Sequence, residues 1–247
     1  TNNLSNRNLI INGAMQIAQR STSTTADGYK SIDRFNVAAG GNDAVLTQAQ
    51  HALTSSDTGP WEKGFRYSLH ITNGNQTGGA GTSDFEQIKY IIEAQDMAQS
   101  GWNHTSTSSY ITLSFWVKSS VAQEFTGSIA TADGTAKAYK FSTPSLSANT
   151  WTKVTKTIPG HADLTFDNNN DTGLTFYFYP FIGTGYTTSS ANTETWIGGG
   201  VYGNDMTSTW WTTNGATFEI TGLQLEVGDV ATDFEHRSYG DELQRCS

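Results

Sequence analysis

A chain of 247 residues has the length for one large hydrophobic core. Only 36% of its residues are apolar and 15% charged, while 12% are aromatic, a make-up that favours strands over helices. A net charge of −9 without any Lys/Arg cluster excludes a nucleic-acid footprint, and no run approaches the roughly 20 apolar residues of a membrane helix, so neither nucleic acid nor membrane insertion is expected.

The opening stretch NLIINGAMQ carries a short apolar run, Leu9 to Ile11, that ends on Asn12-Gly13, a strong turn signal. A strand within GYKSIDRFNVAAGG follows. FRYSLHIT alternates, with Phe65, Tyr67, Leu69 and Ile71 on one side. DFEQIKYIIEAQDMAQS reads either as a helix or as a strand ending in a short helix. YITLSFWVKSS is the clearest strand. It places Ile111, Leu113, Phe115 and Val117 inward and Thr112, Ser114, Trp116 and Lys118 outward.

Asp133-Gly134 marks a hairpin between two strand runs. TWTKVTKTI is anchored by Trp151, Val154 and Ile158. GLTFYFYPF sends Leu174, Phe176 and Phe178 one way and Thr175, Tyr177 and Tyr179 the other. In the last strand, ATFEITGLQLEVG, the alternation changes phase at Thr221-Gly222, which predicts a bulge. Roughly ten strands with turns between them predict an all-β antiparallel jelly-roll sandwich. We read residues 1–247 as one module, with an N-terminal segment over 1–35. A C-terminal connector spans 236–247, ending in a helical turn capped by Ser238 or Asp241.

Six aromatic residues are candidates for contact with a carbohydrate. Trp116, Tyr177 and Tyr179 take outward positions on two strands and would form one patch if those strands share a sheet. Tyr202, Trp210 and Trp211 lie in a Gly/Thr/Ser-rich stretch. Trp and Tyr join a large apolar face to a polar tip, which suits stacking against a sugar ring. For each group the alternative is packing against a loop, the core or a neighbouring subunit. Adjacent Trp residues in a strand face opposite ways, so at most one of Trp210 and Trp211 would be core there.

No metalloprotease, nucleophile-elbow or phosphate-loop motif is present. His51, His70, His104, His161 and His236 are scattered without metal-ligand spacing. The stretch DNNNDTG lacks the Gly and Glu of a calcium loop, having Thr172 and Phe178 there. Arg20, Asp33 and Arg34 read as a structural ion cluster, and Cys246 as an exposed thiol in the tail. No catalytic residue, metal site or cofactor is expected, and the chain reads as a binding module, not an enzyme.

NLIINGAM, QRST and DRF at the start resemble the opening of phage tail-fibre and virion structural proteins. YITLSFWVKSS, WTKVTKTIPG, GLTFYF and FEITGLQLEVGDVATDFEHRSYGDELQRC are similar to later segments of the same group. The same landmarks more distantly resemble carbohydrate-binding modules of the family 4/9 type, which are jelly rolls. That resemblance implies a calcium-stabilised sandwich with an aromatic cleft. Gln16 and Thr221 stand where such modules carry carboxylates, so no calcium site carries over. The resemblance implies a tail-fibre-like module at the virion surface that contacts host-surface polysaccharide, forms a homotrimer and touches other virion proteins. It also implies a chain that runs on beyond Ser247, so we expect one module of a longer protein. A capsid decoration or knob protein is the second reading, and a glycan-cleaving enzyme the third.

Overall fold

Each strand sends successive side chains to opposite faces, so period-two alternation decides what is core and what is surface. The computed structural model of the chain describes residues 6–189, 191 and 193–247. In chain order it holds β1 (Ser23–Thr24), β2 (Phe35–Gly40), β3 (Thr47–Ala52), β4 (Tyr67–Thr72) and β5 (Phe85–Glu93), which runs directly into α1 (Ala94–Ala98). Next come β6 (Tyr110–Ser119), β7 (Thr126–Thr131), β8 (Lys137–Ser142), β9 (Thr152–Pro159) and β10 (Thr172–Ile182). The short β11 (Thr187–Thr188), β12 (Trp196–Gly198) and β13 (Gly203–Asn204) precede α2 (Thr209–Thr212), β14 (Thr217–Val227) and α3 (Tyr239–Cys246).

Two six-stranded sheets pack face to face, with strand orders β1-β3-β4-β14-β6-β9 and β12-β8-β7-β10-β5-β2. Every pairing within them is antiparallel. β11 and β13 make a small parallel ribbon apart from both. This is the antiparallel jelly-roll sandwich expected, with a helix at the C-terminal end.

Phe115 of β6 and Phe218 of β14 enter the core from the first sheet, and Phe176 and Phe178 of β10 from the second. The Phe178 ring lies 5.2 Å from Phe115 and 5.5 Å from Phe218, so the two sheets interlock through aromatic contacts. Each such ring contributes about 1.5–3 kcal/mol by burial.

Local predictions meet the structure at particular residues. The segment from Phe85 is the strand with a short helix after it. Asp133-Gly134 turns β7 into β8 with Gly134 at φ 60°. The register of β14 on β6 shifts between Thr221 and Gln224. Gly222 takes φ 65° there, and a Cβ would sit 2.7 Å from the Phe65 ring, so only glycine fits without strain. The shift lets Phe218 and Ile220 before it, and Leu223 and Leu225 after it, all face the core.

The turn at Asn12 and the helix α3 are joined. Asn12, with φ 60°, donates its amide to the carbonyls of Ile17 and Asp33, each at 2.9 Å. Ser238 caps α3 by accepting from the Asp241 backbone N–H at 3.2 Å. Glu242 is buried, accepts from the Asn12 backbone N–H and pairs with Arg237 at 3.5 Å. The expected ion cluster is only partly formed. Arg20 approaches buried Asp33 at 3.5 Å, whereas Arg34 reaches the Tyr90 phenol. Cys246 is half-buried, not exposed. Burial, with Asp33 and Glu242 nearby, pushes its thiol up to about 12, so at neutral pH it is no thiolate nucleophile.

Glu86 faces inward on β5, fully buried, and neither carboxylate oxygen has a hydrogen-bond partner among the described residues. Burial, with Asp27 adding its charge, pushes the carboxyl up to about 8. The folded value lies above the unfolded one near 4.5, so Glu86 favours folding below that pH and the benefit is lost as pH rises through 8. Glu86→Gln keeps the shape without the charge. Calorimetry is expected to find equal Tm values for variant and wild type near pH 4.5, and the variant higher by at least about 5 °C at pH 8.5.

Candidate functional site

The outer faces of the two sheets differ because different loops lie on them. Over the second sheet the ribbon of β11 and β13 lies across β7 and β8. Lys140, fully buried, anchors it by donating to the Thr188 hydroxyl at 2.5 Å and to the Ser189 carbonyl at 2.6 Å. Asn204 donates to the Ser142 hydroxyl at 2.9 Å. The β5/β10 half of the sheet stays uncovered, and a cleft of about 300 Å³ opens there.

The cleft floor is built by strand alternation. Phe85, Gln87 and Lys89 come from β5, and Tyr177 and Tyr179 from β10. Tyr186 and Tyr202 stand as a wall, tied together by a 3.0 Å bond from the Tyr202 N–H to the Tyr186 carbonyl. The rings of Tyr177 and Tyr179 are nearly parallel, 6.2 Å apart at 9°. Tyr202 meets Tyr177 at 5.3 Å and a steep angle of 61°. Burial, with the neighbouring phenols, holds the Tyr177 and Tyr179 hydroxyls above the ordinary phenol value, so at neutral pH they keep their protons. A ring-shaped ligand with apolar C–H faces can stack on such a surface. The Gln87 amide and the Lys89 ammonium supply hydrogen-bonding groups beside it.

The structure separates the expected aromatic patch. Tyr177 and Tyr179 belong to the second sheet and Trp116 to the first, so they lie on opposite faces of the sandwich. Tyr177 and Tyr202 are half-buried and border the cleft, while Tyr179 is 2% exposed and forms its base. Trp210 and Trp211 sit on the single turn of α2, not on a strand, and both are fully buried. On a helix, adjacent residues need not take opposite faces. Trp210 donates its indole N–H to the Thr217 carbonyl at 3.0 Å, and Trp211 to the Gly79 carbonyl at 2.7 Å. Phe85, Gln87, Lys89 and Tyr186 complete the cleft but escaped the sequence reading. The period-two spacing of Phe85, Gln87 and Lys89 was legible, but nothing in it tells which outward face stays open.

Trp116 is half-buried beneath the loop from Leu53 to Gly64. It packs in a satellite cluster with Ala14, Leu53, Phe65 and Trp151. Gly59 crosses over its ring, where a Cβ would come within 2.6 Å. Asp57 pins this loop down. Its carboxylate accepts from the Trp151 indole N–H and the Lys118 ammonium, each at 2.9 Å, and from the Thr54 backbone N–H at 2.9 Å.

No family model matches the chain, and no curated protein matches it. Among solved structures, the enzymatically active domain of tailspike protein 4 from bacteriophage CBA120 is similar at 12% identity, with a TM-score of 0.46. The match covers 90% of this chain and 22% of that one, so the chain spans under a quarter of the tailspike chain. A putative sugar binding protein from Bacteroides thetaiotaomicron is similar at 13% identity and a TM-score of 0.43, with 90% of this chain and all of that one covered. The N-terminal cellulose-binding domain of Cellulomonas fimi β-1,4-glucanase C is similar at 11% identity and a TM-score of 0.39, covering 87% of this chain and 99% of that one. Likenesses this distant assign neither ligand nor activity.

Burial alone would raise the Asp57 carboxyl, but the hydrogen bonds from Trp151, Thr54 and Lys118 outweigh it and hold it at about 2. A lowered folded value contributes stability above the ordinary 3.8 that is lost as pH falls through 2. Between pH 4 and 2 the wild type is therefore expected to lose more Tm than Asp57→Asn. At pH 7 the variant's loosened loop is expected to leave Trp116 more open to acrylamide quenching. Equal quenching in the two proteins would remove Asp57 as the pin.

Proposed function

We propose that this chain is a glycan-binding module and that the tyrosine cleft of the second sheet is its site. One observation carries the reading: an uncovered cleft bordered by the partly exposed rings of Tyr177, Tyr186 and Tyr202 over the buried ring of Tyr179. Sugars present C–H faces for stacking and hydroxyls at the rim, and the cleft offers aromatic faces with phenol, amide and ammonium groups beside them. Binding without cleavage is the reading because the cleft is lined by Phe85, Gln87, Lys89, Ile182 and four tyrosines. Glycoside hydrolysis uses a facing pair of carboxylates.

The placement of this module is part of the same proposal. It is a tail-fibre-like piece of a phage virion, exposed at the particle surface, that contacts host-surface polysaccharide. The support is the resemblance of the opening NLIINGAM and the closing FEITGLQLEVGDVATDFEHRSYGDELQRC to virion structural proteins. In a fibre-type homotrimer, three shallow sites act together, so weak single contacts add up to firm attachment.

The test is binding to a glycan array and to host polysaccharides, with release of reducing ends followed in parallel. Tyr177→Ala and Tyr202→Ala are expected to weaken binding about tenfold or more each, a loss of roughly 1.4 kcal/mol. Trp116→Ala, on the opposite face, is expected to leave it unchanged. Folded wild-type protein that binds no glycan would turn the reading to a capsid decoration or knob role. Release of reducing ends would turn it to an enzyme.

A further inference from the structure

On the outer face of the first sheet, away from the tyrosine cleft, a row of ionisable side chains crosses the strands. Lys118 of β6 stands opposite Glu219 of β14, which stands opposite His70 of β4. His51 approaches from β3, one strand further out, and the residue opposite His70 on that strand is the small Ala49. Glu219 Oε1 is the hub. It lies 2.9 Å from His70 Nδ1, 3.5 Å from His51 Nδ1 and 3.5 Å from Lys118 Nζ. One donor atom from each of His51, His70 and Glu219 lies within 4.8 Å of the other two.

We propose that His51, His70 and Glu219 form a binding site for a divalent transition-metal ion of the zinc type. Two imidazoles and a carboxylate are a ligand set that such ions take, whereas calcium and magnesium take oxygen sets. Bonds of about 2.1 Å to a tetrahedral ion put its donors about 3.4 Å apart, and the two measured separations at the hub bracket that value. The His51 ring, 47% exposed, is free to turn and close the longer separation. The carboxylate is already oriented, because Ser68 donates its hydroxyl to Glu219 Oε2 at 3.0 Å while the side chain is 4% exposed. Metal ligands commonly have an orienting partner of this kind.

The Lys118 ammonium is the competing cation. Asp57 holds it at 2.9 Å, on the side away from the histidines. On binding, the ion takes the place of the Nδ1 proton that His70 shares with Glu219. A neutral His70 has a single ring proton, which moves by exchange with solvent from Nδ1 to Nε2 and leaves the Nδ1 lone pair to the ion. A fourth position stays open on the solvent side for water or an oxygen ligand. The ion ties β3, β4 and β14 together across the sheet.

The experiment is calorimetric titration of tag-free protein with Zn²⁺, with Co²⁺ absorption as a second readout. One ion per chain and the visible absorption of a four-coordinate Co²⁺ are expected. His51→Ala and His70→Ala are expected to bind at least about tenfold more weakly. Zn²⁺ at about 100 times the wild-type Kd is expected to raise the wild-type Tm by roughly 5–10 °C and the variants by no more than about half as much. His51 is a surface residue, so its variant folds like the wild type without metal. Absence of binding by folded wild type overturns the proposal, as does binding that both histidine variants retain.

Discussion

The interlocking of phenylalanine rings between the two sheets governs the rest of the molecule. Phe176 and Phe178 of β10 reach across to Phe115 of β6, and Phe178 also meets Phe218 of β14. A register slip of one residue would turn these rings to solvent and bring Thr175, Tyr177 and Tyr179 into the core. Burying four phenylalanines is favourable, and burying phenol groups without partners is costly. The core therefore dictates that tyrosines line the outside of β10. The cleft is a consequence of how the core is packed.

The same pleat produces different surfaces on the two sheets because of what crosses them. On the first sheet a loop pinned through Asp57 covers Trp116, and the uncovered part is polar and ionisable. On the second sheet a long segment held by Lys140 covers β7 and β8 and stops at a tyrosine wall. Each covering loop is fixed by one charged side chain: Asp57 reaches from its loop to Lys118 and Trp151, and Lys140 reaches from the sheet to Thr188 and Ser189. This is an economical way to position a loop, since hydrogen bonds to charged groups are stronger than neutral ones. It leaves the tyrosine cleft on one face and the row of His70, Glu219 and Lys118 on the other.

The ends of the chain close the structure. Asn12 in its left-handed turn gathers the early segment, and Glu242 on α3 reaches that turn from the other end. Leu9 donates to the Leu225 carbonyl at 2.9 Å and Asn8 accepts from the Leu225 N–H at 3.0 Å, so Asn8 and Leu9 lie along the last strand. Buried Glu86 departs from this pairing with both carboxylate oxygens, and its raised carboxyl is the physical result of that isolation.

Much of the fold was legible from local pattern. Alternation identified the inward sets of β6 and β10, glycine located the bulge at Gly222 and the turn at Gly134, and residue type narrowed the cap of α3 to Ser238 or Asp241. These are properties of a few adjacent residues, so a linear reading reaches them. What lay beyond it was every relation between distant segments. Whether Trp116 shares a face with Tyr177 depends on strand order, and whether Trp210 and Trp211 stack on opposite sides depends on α2 being a helix turn. His51, His70 and Glu219 carry no common spacing because they meet only through antiparallel pairing of β3, β4 and β14. The sequence by itself determined the pleat, the turns and the inward side of the clearest strands. The tertiary structure alone decided which outward residues become neighbours and which are covered, because both depend on long-range pairing and on where loops fall, and neither leaves a local signature.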